Sequence, residues 1–277
     1  MKGRGGVPWY LWLNVLNLDA PLITVAWQWL FARTAGYALH PAEAGALFLA
    51  VWIVYAGDRV LDGFRLSVGP TTAARHRFGQ RHARALMVGI GLAGVVGAWL
   101  ALTHLPLGVL AAGAGLGALV VGYFFWNQLA GTRFGRGWLK EVVVSLVFAG
   151  GAALVPLVNA FSWAVLGEAV GFAVVCFANC LLIARLERER DVARGETSIA
   201  LRFGEGARPS LLVAGGLALV MLAVLVMAGF TATGVSLLAS AALIAAAPWV
   251  ERRLGADGTC AWADLALLTP LVAVAFA

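Results

Sequence analysis

The chain has 277 residues, 61% of them hydrophobic and only 12% charged, with a mean hydropathy of +0.87. A soluble domain of this length buries one core behind a charged shell, so this balance excludes an ordinary water-soluble fold. The formal charge of +6 sits at the ends of apolar runs, where it serves topology and lipid headgroup contact and gives no basis for a nucleic-acid partner.

Apolar runs long enough to cross a hydrocarbon core recur from end to end. In chain order they cover roughly 15–33, 41–62, 85–103, 107–126, 138–156, 160–186, 209–229, 231–250 and 261–277. Each is read as α-helix, because a helix satisfies its backbone polar groups internally in lipid and no run alternates as a membrane β-strand does. Abundant Gly and Ala suit close helix packing in a bilayer. Of the 20 Lys and Arg, all but Arg33 fall in the N-terminal tail or near the links 2–3, 4–5, 6–7 and 8–9. The positive-inside rule then predicts a multi-pass protein with a cytoplasmic N-terminus and its C-terminus on the opposite side. The basic N-terminal tail is not read as part of a cleaved leader, since the next stretch runs on through Trp27, Trp29 and Phe31 without a small-residue cleavage site.

Acids at the inner ends of helices 2 and 6 stand out from this background. Asp58 and Asp62 lie four residues apart in Gly57-Asp58-Arg59-Val60-Leu61-Asp62, hence on one helix face. Glu187 and Asp191 repeat that spacing in Glu187-Arg188-Glu189-Arg190-Asp191. Like charges so placed repel unless a cation lies between them. A bland reading exists for each pair alone: acids at the end of a span are often solvated, and the neighbouring Arg residues neutralise the second pair locally.

An internal repeat favours treating the two pairs together. Thr71 to Gly79 follows the first pair and Glu196 to Gly204 the second, both with a Thr and a closing Arg-Phe-Gly. The whole chain, 1–277, is read as one membrane domain of two four-helix pseudo-repeats, about 10–130 and 135–250, plus a ninth helix. Repeat interfaces commonly hold the binding site, so the acid pairs are expected to face each other across a central cavity capped on the cytoplasmic side. Carboxylates on two helices with a basic rim suit Mg2+ and a diphosphate head carrying a hydrocarbon tail.

Gly57 to Asp62 resembles the first aspartate-rich motif of the UbiA superfamily of intramembrane prenyltransferases. Glu187 to Gly204 is similar to the second. The resemblance implies a Mg2+-dependent transfer of an isoprenoid chain from a prenyl diphosphate to a lipophilic acceptor, with an aromatic acceptor favoured. Asp58, Asp62, Glu187 and Asp191 would hold the metal, and an apolar chamber would shield the allylic cation. Arg59 fills a place where the family also has Arg. Arg75, Arg194, Arg202 and Lys140 are candidate donors to phosphate oxygens, against the plain reading of topology and headgroup contact.

The sequence departs from the family pattern at named places. Val54 stands where the first motif usually opens with Asn, and Glu187 where Asp is common, with Asn179 two turns earlier on the same face as a possible polar ligand. The family's Tyr-x-x-x-Lys becomes Tyr123 to Asn127, so Tyr123 matches and Asn127 does not. That segment also suits a membrane terpene cyclase acting on a prenyl diphosphate alone. Val54 and Asn127 together admit a non-catalytic isoprenoid-binding or transport protein on the same fold.

Other polar residues carry weaker expectations. Asp19 is read as a helix cap ahead of a substrate contact. Glu168 and Asp264 lie within apolar helices, where an ionisable group is costly and is either functional, protonated or paired across helices. Cys176 and Cys180 are read as packing residues, and His40, His76, His82 and His104 as surface histidines.

Overall fold

The computed structural model describes residues 8, 11–65, 74–129, 137–194, 201 and 231–275. Among these residues the chain is helical and contains no strand. In chain order the helices are α1 (Trp12–Val15), α2 (Asp19–Thr34), α3 (Pro41–Arg65), α4 (Ala74–Arg81), α5 (Ala83–His104), α6 (Leu107–Leu129), α7 (Gly137–Asn159) and α8 (Trp163–Arg194). After the expected span 209–229, which lies outside the described residues, come α9 (Ala232–Ala245), α10 (Ala247–Leu265), a 3-10 turn (Ala266–Leu268) and α11 (Pro270–Ala275).

Four stretches, Pro41–Leu61, Ala83–His104, Leu139–Asn159 and Trp163–Val192, are long and apolar enough to cross a membrane. A fifth is added if α9 and α10, bent by 67° at their junction, count as one span. The protein is therefore an all-α membrane protein. Its exterior agrees: Val95, Leu102, Leu107 and Leu119 on α5 and α6 are exposed, as lipid-facing side chains are.

Three boundaries differ from the sequence expectation, each for a local reason. The run 15–33 is interrupted at Asn17, which adopts a left-handed backbone (φ 56°) that Asn tolerates better than most residues. The run 231–250 stops at Ala245, because Pro248 has no N–H to continue the ladder and instead takes a place in the first turn of α10. The expected loop between 250 and 261 is helical, broken only at Gly255, whose φ of 66° and ψ of −175° suit glycine alone.

The core is built on α2 and α8. Trp27 stacks on Phe172 with ring centroids 4.2 Å apart, and Phe31 and Phe148 meet the same ring edge-on or tilted at 6.1 and 6.0 Å. Trp27 Nε1 also donates to Leu267 O at 2.8 Å, pinning the 3-10 turn to α2. Ala149, Ala152, Ala153, Ala169 and Ala173 complete this cluster, small side chains that let α7 and α8 approach closely. The 16-residue α2 is buried nearly all round, and its Thr24 Oγ1 turns back to Ala20 O and Pro21 O at 3.1 and 3.0 Å.

Polar bonds tie the end of the bundle remote from the acid motifs. Tyr37 Oη donates to Glu43 Oε1 at 2.7 Å, the His40 amide donates to Glu43 Oε2 at 2.9 Å, and Asn159 Nδ2 donates to Tyr37 Oη at 3.0 Å. Glu43 thus closes the first turn of α3 in the manner of a capping box and joins it to α7. Nearby, Thr34 Oγ1 reaches Glu168 Oε1 at 3.4 Å and Thr233 Oγ1 at 3.1 Å. The buried Glu168 accordingly serves as a link between α2, α8 and α9.

At the motif-bearing end, α4 lies against α1 and α3. Phe78 packs with Leu11, Val15 and Ala261 and meets the Trp12 ring edge-on at 6.3 Å. Gly79 lies on Arg59 of the first motif, where an added Cβ would make ordinary contact, 3.5 Å from both Cβ and O. The Arg-Phe-Gly of the first repeat is therefore a docking element. Its counterpart at Arg202 to Gly204 lies outside the described residues.

Candidate functional site

A cavity of about 150 Å3 opens among the motif-bearing ends of the helices. It is framed by the start of α2, the last turns of α3, the first half of α7, the second half of α8 and the end of α10. Its polar wall is a hydrogen-bonded cluster. Asn14 Nδ2 donates to Asp19 Oδ2 at 2.8 Å and to Asp264 Oδ2 at 3.0 Å, while Asn179 Nδ2 donates to Asp264 Oδ1 at 3.2 Å. Asp19 and Asn179 are buried, and Asn179 Oδ1 accepts no hydrogen bond from any described residue.

Arg59 and Tyr55 enter the same cavity from α3, with Arg59 Nε 3.4 Å from Asn17 Oδ1. The turn at Asn17 therefore does two things: it lets α2 begin at Asp19, and it aims an amide oxygen at the Arg of the first motif. Ile23, Phe148, Ile183 and Leu267 add an apolar part to the lining. Cys176 and Cys180 also line the space, and Ser145 Oγ lies 3.9 Å from Cys180 Sγ.

The predicted site residues are distributed as follows. Arg59 and Asn179 line the cavity. Tyr123 lies within electrostatic range of Lys140, Glu141, Asp58 and Cys180, which brings α6, α7 and α3 to the same end of the bundle. The Asp58 side chain is exposed there. On the last turns of α8, Asp191 is buried, and Glu187 lies 3.7 Å from Arg190. Arg190 in turn forms a closer ion pair with Asp257, at 2.6 Å though not aligned as a hydrogen bond. The side chains of Asp62, Arg75, Asn127 and Arg194, and Arg202 as a whole, lie outside the described residues.

Asn14, Asn17 and Tyr55 belong to the site and were not singled out from the sequence. The available sign was Leu-Asn-Val-Leu-Asn-Leu-Asp over 13–19, where three polar residues interrupt an apolar stretch. Asp19 is the first residue of α2, whose cap position is Leu18, and besides accepting from the Ala20 amide at 2.9 Å it holds Asn14. Asp264 is paired across helices, one of the expected alternatives. Cys176 and Cys180, expected as packing residues, are part of the cavity wall.

Asp58 on α3 and Glu187 and Asp191 on α8 carry hard carboxylate oxygens, the ligand type Mg2+ takes. Among the described residues no three His, Cys, Asp or Glu side chains form a ready ligand group. An ion held there would take part of its coordination from water or from a ligand's phosphate oxygens, as Mg2+ commonly does. No family model, no curated protein and no solved structure matches the chain.

Proposed function

We propose that the chain is an intramembrane prenyltransferase of the UbiA type. It would move an isoprenoid chain from a prenyl diphosphate to a lipophilic acceptor, with nine spans, a cytoplasmic cap and Mg2+ held by Asp58, Asp62, Glu187 and Asp191. The observation that carries this reading is the cavity between the two motif-bearing helices. Arg59 of the first motif and Asn179, two turns before the second, both stand in its wall.

Each feature of that end has a part in the proposed chemistry. The carboxylates of α3 and α8 would hold a diphosphate through metal, and bound Mg2+ would neutralise charge on the departing diphosphate. Arg59 offers guanidinium donors at the cavity mouth. Ile23, Phe148, Ile183 and Leu267 keep water from a reactive allylic chain, with Phe148 able to face a cation. Docked on Arg59, α4 supplies the beginning of a cap.

Purified protein in detergent, given prenyl diphosphates of several chain lengths, tests the reading by pyrophosphate release. Release that requires Mg2+ and falls at least about a hundredfold in both Asp58→Ala and Asp191→Ala is expected. No release from any donor, with or without a mixed pool of acceptors, would overturn it in favour of a non-catalytic lipid-binding protein.

A further inference from the structure

We infer that the tip formed by residues 249–255 of α10 binds the anionic headgroup of a membrane phospholipid, with Arg252 and Arg253 on its phosphate and Trp249 and Leu254 against the upper part of its acyl chains. The binding needs neither a prenyl donor nor Mg2+, so it stands or falls apart from the proposed transferase.

This tip is where a helical hairpin turns. Leading into it, α9 runs along α8 from Thr233, which shares Thr34 with Glu168, to Leu243, whose carbonyl accepts from Trp262 Nε1 at 3.0 Å. Leading away, the second half of α10 runs back along α8, with Asp257 on Arg190 at 2.6 Å and Asp264 on Asn179 at 3.2 Å. The reversal therefore falls at the motif-bearing end of the bundle. Gly255, with its φ of 66°, supplies the left-handed residue that the turn needs. Thr259 Oγ1 closes it by donating to Gly255 O at 2.7 Å.

Charges at the tip are unevenly matched. Both neighbouring acids are engaged by α8, Glu251 by Arg185 at 2.5 Å and Asp257 by Arg190 at 2.6 Å. Arg252 and Arg253 are exposed, and neither forms an ion pair with any described residue. Two adjacent arginines whose local acids are taken elsewhere leave a positive surface. Guanidinium groups in that state are suited to phosphate oxygens, which accept several of their N–H donors at once. Neither arginine lines the cavity, so this surface is separate from the place proposed for the diphosphate.

The apolar neighbours decide between a lipid headgroup and a soluble phosphate. Trp249 lies one turn before Arg253, whose guanidinium carbon sits 5.0 Å from the centre of the indole. Trp249 and Leu254 are exposed, whereas Val250 beside them is buried. A soluble anion gains nothing from an exposed indole and leucine. A phospholipid covers both with its chains while its phosphate meets the arginines. An indole with a cation one turn away is the pairing that settles at the headgroup level of a bilayer.

Quenching of Trp249 by brominated lipid tests the inference. The protein is placed in phosphatidylcholine vesicles that hold a minor share of phosphatidylglycerol. In one set the phosphatidylglycerol is brominated high on one acyl chain, and in the other an equal share of the phosphatidylcholine is. The Trp249 signal is the difference between the unaltered protein and Trp249→Phe. Brominated phosphatidylglycerol should quench it about three- to tenfold more effectively than brominated phosphatidylcholine, the enrichment that one or two cations near a headgroup produce. Arg252→Gln together with Arg253→Gln should make the two lipids equal. Equal quenching in the unaltered protein overturns the inference whether or not the variants fold, and so does a preference that survives in the double variant. Loss of the preference on adding inorganic phosphate at fixed ionic strength overturns it too, by making the tip a soluble-anion site.

Discussion

Asn14 and Asp264 are joined by a 3.0 Å hydrogen bond although 250 positions separate them. That bond brings the break before α2 against the last turn of α10, and Asn179 of α8 bonds the other oxygen of the same carboxylate. Removing the carboxylate takes an acceptor from both amides, leaving Asn14 Nδ2 its bond to Asp19 and Asn179 Nδ2 without the one to Asp264. Asp264→Leu is expected to cost about 1–3 kcal/mol of stability, the penalty for orphaned buried polar groups. Asp264→Asn, which keeps one oxygen, should cost less. Thermal unfolding in detergent gives the comparison, and equal midpoints for Asp264→Leu and the unaltered protein would show that the cluster contributes nothing to the fold.

A second relation, between α3 and α5, depends on glycine. A Cβ placed on Gly89 would lie 2.9 Å from Cη2 of Trp52, whose Nε1 donates to Leu16 O at 3.2 Å. The indole cannot retreat without straining that bond, so Gly89→Ala should lower the unfolding midpoint. Gly91→Ala is the control, because nothing lies within 4 Å of its added Cβ. Overpacking of this kind typically costs about 1–3 kcal/mol, whereas the control should be neutral or slightly stabilising through helix propensity. A Gly89→Ala midpoint no lower than that of Gly91→Ala would mean the ring adjusts freely.

Much of the helical frame was legible because lipid demands it. Runs such as 85–103 and 138–156 must be apolar along their whole length, and they reappear as α5 and most of α7. Places where a helix breaks were harder, since a hydropathy run smooths over single residues. Pro248 was readable as a stop, yet it sits inside an apolar run, and Gly255 breaks a segment read as a loop. The cavity was half legible. Asp19, Asn179 and Asp264 were noticed singly, but no spacing rule links position 14 to 264. That pairing is set by how α1, α8 and α10 pack, which is tertiary information.

Tyr37 offers a test by pH. Burial, then the hydrogen bond and charge of Glu43, raise its pKa from 10.0 to about 12. A folded-state pKa above the unfolded value means that the associated stability is complete below pH 10 and is lost as pH climbs toward about 12. The absorbance titration near 295 nm of the unaltered protein minus that of Tyr37→Phe should show one phenol with a midpoint close to 12. The unfolding midpoint of the unaltered protein should fall across the same window more than that of the variant. A difference titration centred at 10 would show that Glu43 does not hold the phenol proton.

Arg190 decides how available Glu187 is. Its guanidinium lies 2.6 Å from Asp257 and 3.7 Å from Glu187, so the pair across to α10 draws the positive charge away from the second motif. Asp257→Asn removes that pull, and Arg190 then settles on Glu187, where it competes with any bound cation. The apparent Mg2+ requirement for pyrophosphate release should rise about three- to tenfold, a size limited by solvent screening of these partly exposed side chains. Adding Arg190→Ala to Asp257→Asn should restore the original requirement, because the competitor is gone. Were the double variant as demanding of Mg2+ as Asp257→Asn alone, Asp257 would be acting on the motif by another route, through the position of α10 rather than through Arg190.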